Sequence, residues 1–514
     1  FLDTHPQVQT PHMDSLADRG VSFTNAHVPA PICGPSRTAI MSGQWPTTTG
    51  IYTNSANFKK DLPDTVSMPQ HFRQNGYYVM GNGKLFHGGD TKFHKGTFDE
   101  YPRYGNSGTP FTKDEMDLAK QDPFNRVMRG DKEYRLPLNG FPADRSWRSN
   151  NTFDWGPVDV PDEEFSDAVT ANWAIEKLAQ EYEKPFFLAV GFHRPHQPLY
   201  NPKRFHDLYP PESIELPPTI KNDLDDVPRA GREYALAPNT SGLHKSVWQY
   251  GEWENAVSSY LASISFVDEL IGNIIAALEE SGHADNTLIV MWSDHGWHLG
   301  EKEHWGKATG WYRSTRIPLV IVPPRKSPPA GFEPGLDSLR LVNLLDLAPT
   351  IADFTGVPML DQWEGNSLKP LVSDPDRDWQ EYTITTFGLG NHTVSTEHWQ
   401  YIHYFDGSEE FYDLQNDPNE FTNLAGNPEH DAVINKLRQL IPAEPNWKHF
   451  VRYHNFKGAV PADGSKMKLF DLAYRNDVNE QANVAKDYPH VVEKIEGWLA
   501  KEKPVSKFLS MTEL

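Results

Sequence analysis

The chain has 514 residues, a formal net charge of −22 and one cysteine, Cys33. That length exceeds a single ordinary core, so at least two packed units are expected, and the acidity excludes nucleic acid as a partner by repelling polyanions. A lone cysteine rules out an intrachain disulfide, and without a run of roughly 18 apolar residues no membrane span is expected.

Taken in chain order, the first readable element is Pro31-Ile32-Cys33-Gly34-Pro35-Ser36-Arg37-Thr38-Ala39-Ile40-Met41-Ser42-Gly43. Pro35 suits a first helical turn and Gly43 suits the stop. From 88 to 161 the chain is rich in Gly, Pro, Asn and Asp with little periodicity, and reads as an insertion over the face of a domain. Its Trp147 and Trp155 suit a substrate wall or a structural cover equally. Phe186-Phe187-Leu188-Ala189-Val190 reads as a buried strand. It ends in Gly191-Phe192-His193-Arg194-Pro195-His196.

A long amphipathic helix is expected over about 254–280, with Val257, Leu261, Ile264, Val267, Ile271, Ile274 and Leu278 at helical spacing and Gly282 as its stop. Leu288-Ile289-Val290-Met291-Trp292 is a second buried strand, running into Ser293-Asp294-His295-Gly296. Another helix is expected over about 341–354. Beyond a boundary near residue 375, short β-like runs such as Trp399–Tyr404 predict a smaller antiparallel unit. Two stretches echo each other: Tyr412-Asp413-Leu414 through Asn423-Leu424-Ala425, and Phe470-Asp471-Leu472 through Asn483-Val484-Ala485. They predict a strand–turn–helix unit used twice.

Strands alternating with helices predict an α/β domain whose ligands gather beyond the carboxyl ends of the strands, where both histidine-bearing tails fall. The organisation expected is therefore an α/β/α sandwich with a mostly parallel central sheet over 1–375, carrying the 88–161 insertion. A smaller C-terminal α+β domain occupies 376–514.

A lone cysteine ordinarily packs as a small hydrophobe, but Cys33 stands just before a helix start. Unpaired N–H groups and the positive end of the helix dipole make such a position an anion site. Arg37, one turn on, adds a fork suited to tetrahedral oxyanions. In a chain this acidic, an anionic substrate needs such a local positive patch.

The Cys-x-Pro-Ser-Arg run resembles the signature of the formylglycine-dependent sulfatases, within the alkaline-phosphatase superfamily. Gly83-Lys84-Leu85-Phe86-His87, the 186–196 segment, Ser293–Glu301 and Asp413–Glu420 resemble the iduronate-2-sulfatase-like branch in the same order. The resemblance implies oxidation of Cys33 to formylglycine by a formylglycine-generating or anaerobic sulfatase-maturating enzyme. One oxygen of the hydrated aldehyde would attack sulfur, and the covalent sulfate would leave when the other hydroxyl loses its proton. By the same resemblance His87 would be that base. His193, aided by Lys307, would protonate the leaving sugar oxygen, and Lys84, Lys307 and Arg37 would bind sulfate oxygens.

Asp294 and His295, beside Cys33, resemble ligands of a divalent metal, in this family usually Ca²⁺. Two adjacent aspartates should complete that site at the end of a first strand. Asp3 stands alone, and Gln9–Asp14 matches the family's segment just after that aspartate pair, so the strand is expected ahead of residue 1. Arg194, His196, His298 and Trp311 are candidate sugar contacts, although His298 and Trp311 read equally well as packed residues.

The expected function is removal of O-sulfate from a sulfated carbohydrate, a uronate-containing or algal polysaccharide fragment, by an exported bacterial enzyme, periplasmic or secreted. The alternatives are phosphomonoester or phosphonate hydrolysis on the same scaffold, or a sulfated-glycan binder should the metal site be incomplete.

Overall fold

The apolar runs at 186–190 and 288–292 become two half-buried strands of a layered unit, and His196 and His295 follow their carboxyl ends. The computed structural model describes residues 5–87, 96–102, 109–112, 114–116, 125–141, 153–238, 242–472, 483–504 and 506–511. Its main N-terminal elements are β1 (Val21–Phe23), α1 (Cys33–Ser42), β2 (Tyr78–Gly83), α2 (Ser166–Leu178) and β3 (Phe186–Gly191). They continue with α3 (Trp253–Glu280), β4 (Ile289–Trp292), β5 (Leu319–Val322) and α4 (Leu347–Thr355).

Strands β2 and β3 run parallel, in register from Tyr78 opposite Phe186 to Gly83 opposite Gly191. Strand β5 lies antiparallel to both β4 and β1, and β1 is parallel to Leu336–Ser338, so pairing in this unit is of mixed type. Alternate side chains point to opposite faces of a strand. Phe187, Ala189 and Val290 therefore meet Met41 of α1 and Ile351 of α4, whereas Ile289 and Met291 meet Ile271 and Ile275 of α3. Helices cover both faces, as the alternation of elements predicted.

By length and apolar content alone α3 matches a membrane span, contrary to the expectation from composition. In the fold 56% of its most apolar window is buried. Its residues Val257, Leu261 and Phe266 share a core with Phe111, Phe141, Phe153 and Trp155 from the 88–161 insertion. Trp155 is therefore structural cover, while Trp147 lies outside the described residues.

Among the described residues β3 pairs with β2 alone and β4 with β5 alone, and both strands are half-buried along their whole lengths. Between them runs a cavity of about 1710 Å³, walled by the two strands, by Tyr260, Ile264 and Ile271 of α3, and by Ile40, Met41 and Phe354 on the opposite face.

Helix α1 begins where extended Ile32 (φ −151°, ψ 140°) gives way to Cys33, and it ends at Gly43 in the left-handed region (φ 70°). A Cβ on Gly43 would also stand 2.2 Å from the Trp363 ring. The helix expected from residue 341 starts later, because Asn343 and Asp346 form a capping box that opens a 3₁₀ turn ahead of α4.

The C-terminal part carries two four-stranded sheets. The first is wholly antiparallel: β6 (Thr383–Thr386), β7 (His392–Ser395), β8 (Trp399–His403) and β9 (Glu409–Asp413) in sequential order. The second joins Lys468–Asp471, Phe456–Pro461, Trp447–Tyr453 and, parallel to the last, Phe508–Met511. The sequence echo has a structural counterpart. The Asn423 side chain accepts from Phe411 and Ala425 N–H at 3.0 Å each, and Asn483 accepts from Leu469 and Ala485 at 3.0 and 3.1 Å. Each asparagine ties a strand to the turn after it.

Candidate active site

Cys33 is the first residue of α1 and is almost wholly buried. The chain can turn sharply there because residue 34 lacks a side chain: a Cβ would meet Asn54 Oδ1 at 2.8 Å, and Gly34 N–H donates to that same oxygen at 2.7 Å. Three groups from separate segments converge on the Cys33 sulfur. Lys307 Nζ lies 2.8 Å away, His295 Nε2 3.2 Å and Lys84 Nζ 3.7 Å. Lys84 lies just past the end of β2 and His295 just past the end of β4, so both arrive at the strand ends where α/β sheets collect ligands.

This crowding sets the electrostatics. Burial alone would push the Cys33 thiol up, but the Lys307 and Lys84 ammoniums and His295 outweigh it and hold the thiol well below its usual value. Burial lowers Lys84, helped by its cationic neighbours Arg37 and Lys307 and opposed by Cys33. Asp294 is buried as well, which favours its neutral form; Arg37, with Nε 2.7 Å from Oδ2, prevails and brings it to about 2. Arg37 Nη1 also donates to the Lys84 carbonyl, and Ser36 Oγ donates to the Asp294 carbonyl at 2.6 Å. Arg37, expected to hold sulfate oxygens, thus locks Asp294 and the Lys84 turn onto the helix that Cys33 begins.

A divalent cation was expected on Asp294, His295 and Cys33, and one ligand atom from each lies within 4.8 Å of the others. His295 Nδ1 is 2.9 Å from the Gly296 carbonyl oxygen, so that nitrogen carries the proton and Nε2 keeps the lone pair a ligand needs. Asp294 Oδ1 stands 3.6 Å from that Nε2. These donors suit a divalent ion. They supply one carboxylate and one imidazole, where calcium takes six to eight oxygens.

The two histidines of the 193–196 segment stand differently toward Cys33. His193 donates its backbone N–H to Asp167 at 2.7 Å, and its ring Nε2 lies 3.3 Å from the Gln197 carbonyl oxygen. His196 Nδ1 reaches the same carbonyl at 2.6 Å, and the ring interacts with the Cys33 sulfur. Burial, with Lys84 and Lys307 nearby, lowers His196 to about 3. His196 is therefore neutral, its proton sits on Nδ1, and its other nitrogen is left bare. His87 is half-buried, and no hydrogen bond joins it to Cys33.

Three expected sugar contacts are corrected by their surroundings. Arg194 is buried and donates Nε and Nη2 to the Tyr200 carbonyl at 2.9 and 2.6 Å. His298 is fully enclosed between the Glu301 carbonyl and Thr309 Oγ1. Trp311, also fully enclosed, donates Nε1 to Glu410 at 2.9 Å. Each braces a loop through these partners. Residue-by-residue reading missed Asn54, whose distance in sequence gives no signal. It also missed Trp297, whose ring lies 5.7 Å from Lys307 Nζ and which directly succeeds the Asp294-His295-Gly296 run.

Comparison with known proteins gives the family and the fold. The sulfatase family model matches residues 2–357, and the model of the N-sulphoglucosamine sulphohydrolase C-terminal region matches residues 300–445. A sulfatase of Formosa agariphila is 38% identical over 448 residues, covering 85% of this chain and 82% of its own. The iduronate 2-sulfatase of Mus musculus is 31% identical over 384 residues, covering 68% of this chain and 65% of its own. In fold, the chain resembles an enzyme solved with its substrate D-glucosamine-2-N,6-O-disulfate, at a TM-score of 0.63 and 20% identity. That likeness covers 85% of this chain and 92% of the other.

Proposed function

The chain belongs to the sulfatase family of sulfuric ester hydrolases, and we propose that it removes O-sulfate from a sulfated carbohydrate, with residue 33 acting as formylglycine. The observation carrying this reading is the convergence of Lys307, His295 and Lys84 on one atom at a helix N-terminus. A sulfate monoester demands such a place: its oxygens need neutralising while a buried nucleophile approaches sulfur. The carbohydrate class is suggested by the iduronate 2-sulfatase relative and by the disulfated sugar in the similar structure.

The Cys33 Sγ position marks where the aldehyde-derived oxygen would sit. Formylglycine, made from Cys33 by a maturating enzyme, supplies in its hydrated form an attacking oxygen and a second hydroxyl that lets the covalent sulfate depart. Lys307 and Lys84 hold the sulfate oxygens, and Lys307, the closer ammonium, gives its proton to the leaving sugar oxygen as the bond from sulfur to that oxygen breaks. His196 presents its bare nitrogen to the nucleophile and takes its proton, while His193 steadies the Gln197 carbonyl that orients His196. Arg37 keeps Asp294 ionised and aimed.

Asp294 and His295 would hold the metal, which would screen the charge of the sulfate oxygens; calcium suits the carboxylate best. We propose that its further carboxylates come from a strand ahead of residue 1, lying between β3 and β4. Supporting this, the cavity there is flanked by two strands that, among the described residues, have no partners on their facing sides, and it is closed by apolar helices above and below. Export from a bacterial cell also belongs to this proposal, since an extracellular sulfated polysaccharide must be met outside.

The test is turnover of defined sulfated oligosaccharides by protein whose formylglycine content has been verified by peptide mass and which is loaded with calcium. p-Nitrophenyl sulfate and p-nitrophenyl phosphate serve as matched esters. Preference for sulfate and release of sulfate from at least one saccharide are expected. Faster phosphate turnover, or inactivity across the saccharides, would refute the reading.

A further inference from the structure

Lys307 is carried by a largely buried loop, 296–313, whose backbone is under strain. Lys302, Glu303 and Ala308 adopt left-handed φ values of 55°, 50° and 71°, which residues with side chains keep only where their surroundings over-determine them. On its nucleophile side the loop is tied by Ala308 N–H to the Pro31 carbonyl at 2.9 Å, two residues before Cys33. His304 Nε2 lies 3.0 Å from the Lys307 carbonyl oxygen, which fixes the residue that bears the ammonium.

Away from Cys33, Lys302 Nζ pairs with Asp223 at 2.8 Å and His304 Nδ1 lies 2.9 Å from the Ala235 carbonyl oxygen, and further ties come from the first C-terminal sheet and the turn that follows it. The Gly310 carbonyl accepts from Thr393 Oγ1 of β7 at 2.8 Å and from Gln400 Nε2 of β8 at 3.0 Å. Trp311 Nε1 donates to Glu410 of β9 at 2.9 Å, and Tyr312 N–H donates to Glu420 at 2.9 Å. Glu410 is fully buried and also accepts from the hydroxyls of Tyr404 and Tyr412. A carboxylate enclosed in this way is costly unless every lone pair is used, and its partners fix it in one place.

We propose that Glu410 is a positioning residue for sulfate ester cleavage: through Trp311 and the strained loop it sets the reach of Lys307 Nζ to residue 33. The sheet that bears it thereby becomes part of the catalytic apparatus while remaining out of contact with substrate. This inference rests on reading Lys307 as a member of the sulfate site.

The test is a double-mutant cycle on full-length, formylglycine-verified enzyme with p-nitrophenyl sulfate. Glu410→Gln, or the milder Trp311→Phe should the first fail to fold, is combined with Lys307→Ala. Either change alone is expected to lower kcat ~10-fold or more, since small displacements of catalytic groups are costly, with KM little changed. In the Lys307→Ala background the same change should add nothing. Glu409→Gln, a neighbour on β9 whose partners are Arg438 and Tyr401 on the far side, should cost stability and leave kcat intact. An equal loss of kcat in both backgrounds, or none in either, overturns the inference alone. Full activity in Lys307→Ala overturns the site reading together with it.

Discussion

Lys307 Nζ stands 2.8 Å from Cys33 Sγ and 3.1 Å from His295 Nε2, although 274 residues separate the lysine from the cysteine. Lys84, at 3.7 Å, is the more distant of the two ammoniums. Electrostatic stabilisation of this kind is typically worth ~10²–10³-fold in kcat per donor. Lys307→Ala should therefore lose ~10²-fold or more in kcat, and Lys84→Ala somewhat less. Steady-state kinetics on verified enzyme decides the order, and a larger loss at Lys84 would contradict the geometry.

His196, rather than His193, interacts with the Cys33 side chain. His196→Ala should cost ~10²–10⁴-fold in kcat, the range for a positioned proton-transfer group. His193→Gln should act more weakly and chiefly on thermal stability, and His87→Ala should change kcat least. Comparison of the three variants under one assay would show a wrong assignment as a reversed ranking.

The thiol form offers a measurement independent of turnover. Made without maturation, the protein keeps Cys33 as its single cysteine. The surrounding cations hold that thiol well below its usual value despite burial. Its thiolate ultraviolet absorbance should persist under mildly acidic conditions where a free cysteine, with a pKa of about 8.5, is protonated. Lys307→Ala should shift the titration upward. A native titration indistinguishable from free cysteine would mean that the ammoniums do not sit where the structure places them.

Glu420 gives a pH signature in stability. Burial raises it to about 8, against about 4.3 for a free glutamate. Because the folded pKa lies above the unfolded one, the associated stability is complete below about pH 4 and is lost as pH climbs to about 8. Glu420→Gln keeps an oxygen for the Tyr312 N–H and removes the ionisation. Its stability relative to the native chain should grow between about pH 5 and 9, on the order of 2 kcal/mol or more at ~1.4 kcal/mol per pKa unit. Denaturant melts at both pH values measure this, and a difference that is flat with pH would rule it out.

The sequence by itself determined the place of Cys33 at a helix start, the two apolar strands and the long helix between them. Each of these is written in local patterns: Pro35 and Gly43 bracketing α1, and apolar spacing through 186–190, 254–280 and 288–292. It also placed Lys84, Asp294 and His295 near the chemistry, because strand ends in an α/β sheet converge on one edge.

What only the tertiary structure decided is how neighbouring polar residues divide their labour. His193 and His196 lie three apart with nothing local to separate them, and the shared Gln197 carbonyl turns the second toward Cys33. Arg194, His298 and Trp311 look like exposed polar and aromatic contacts in the linear chain. They are buried because Tyr200, Thr309 and Glu410 supply partners that no spacing rule reveals. A side chain's role is set by the groups that enclose it, and those arrive from segments distant along the chain.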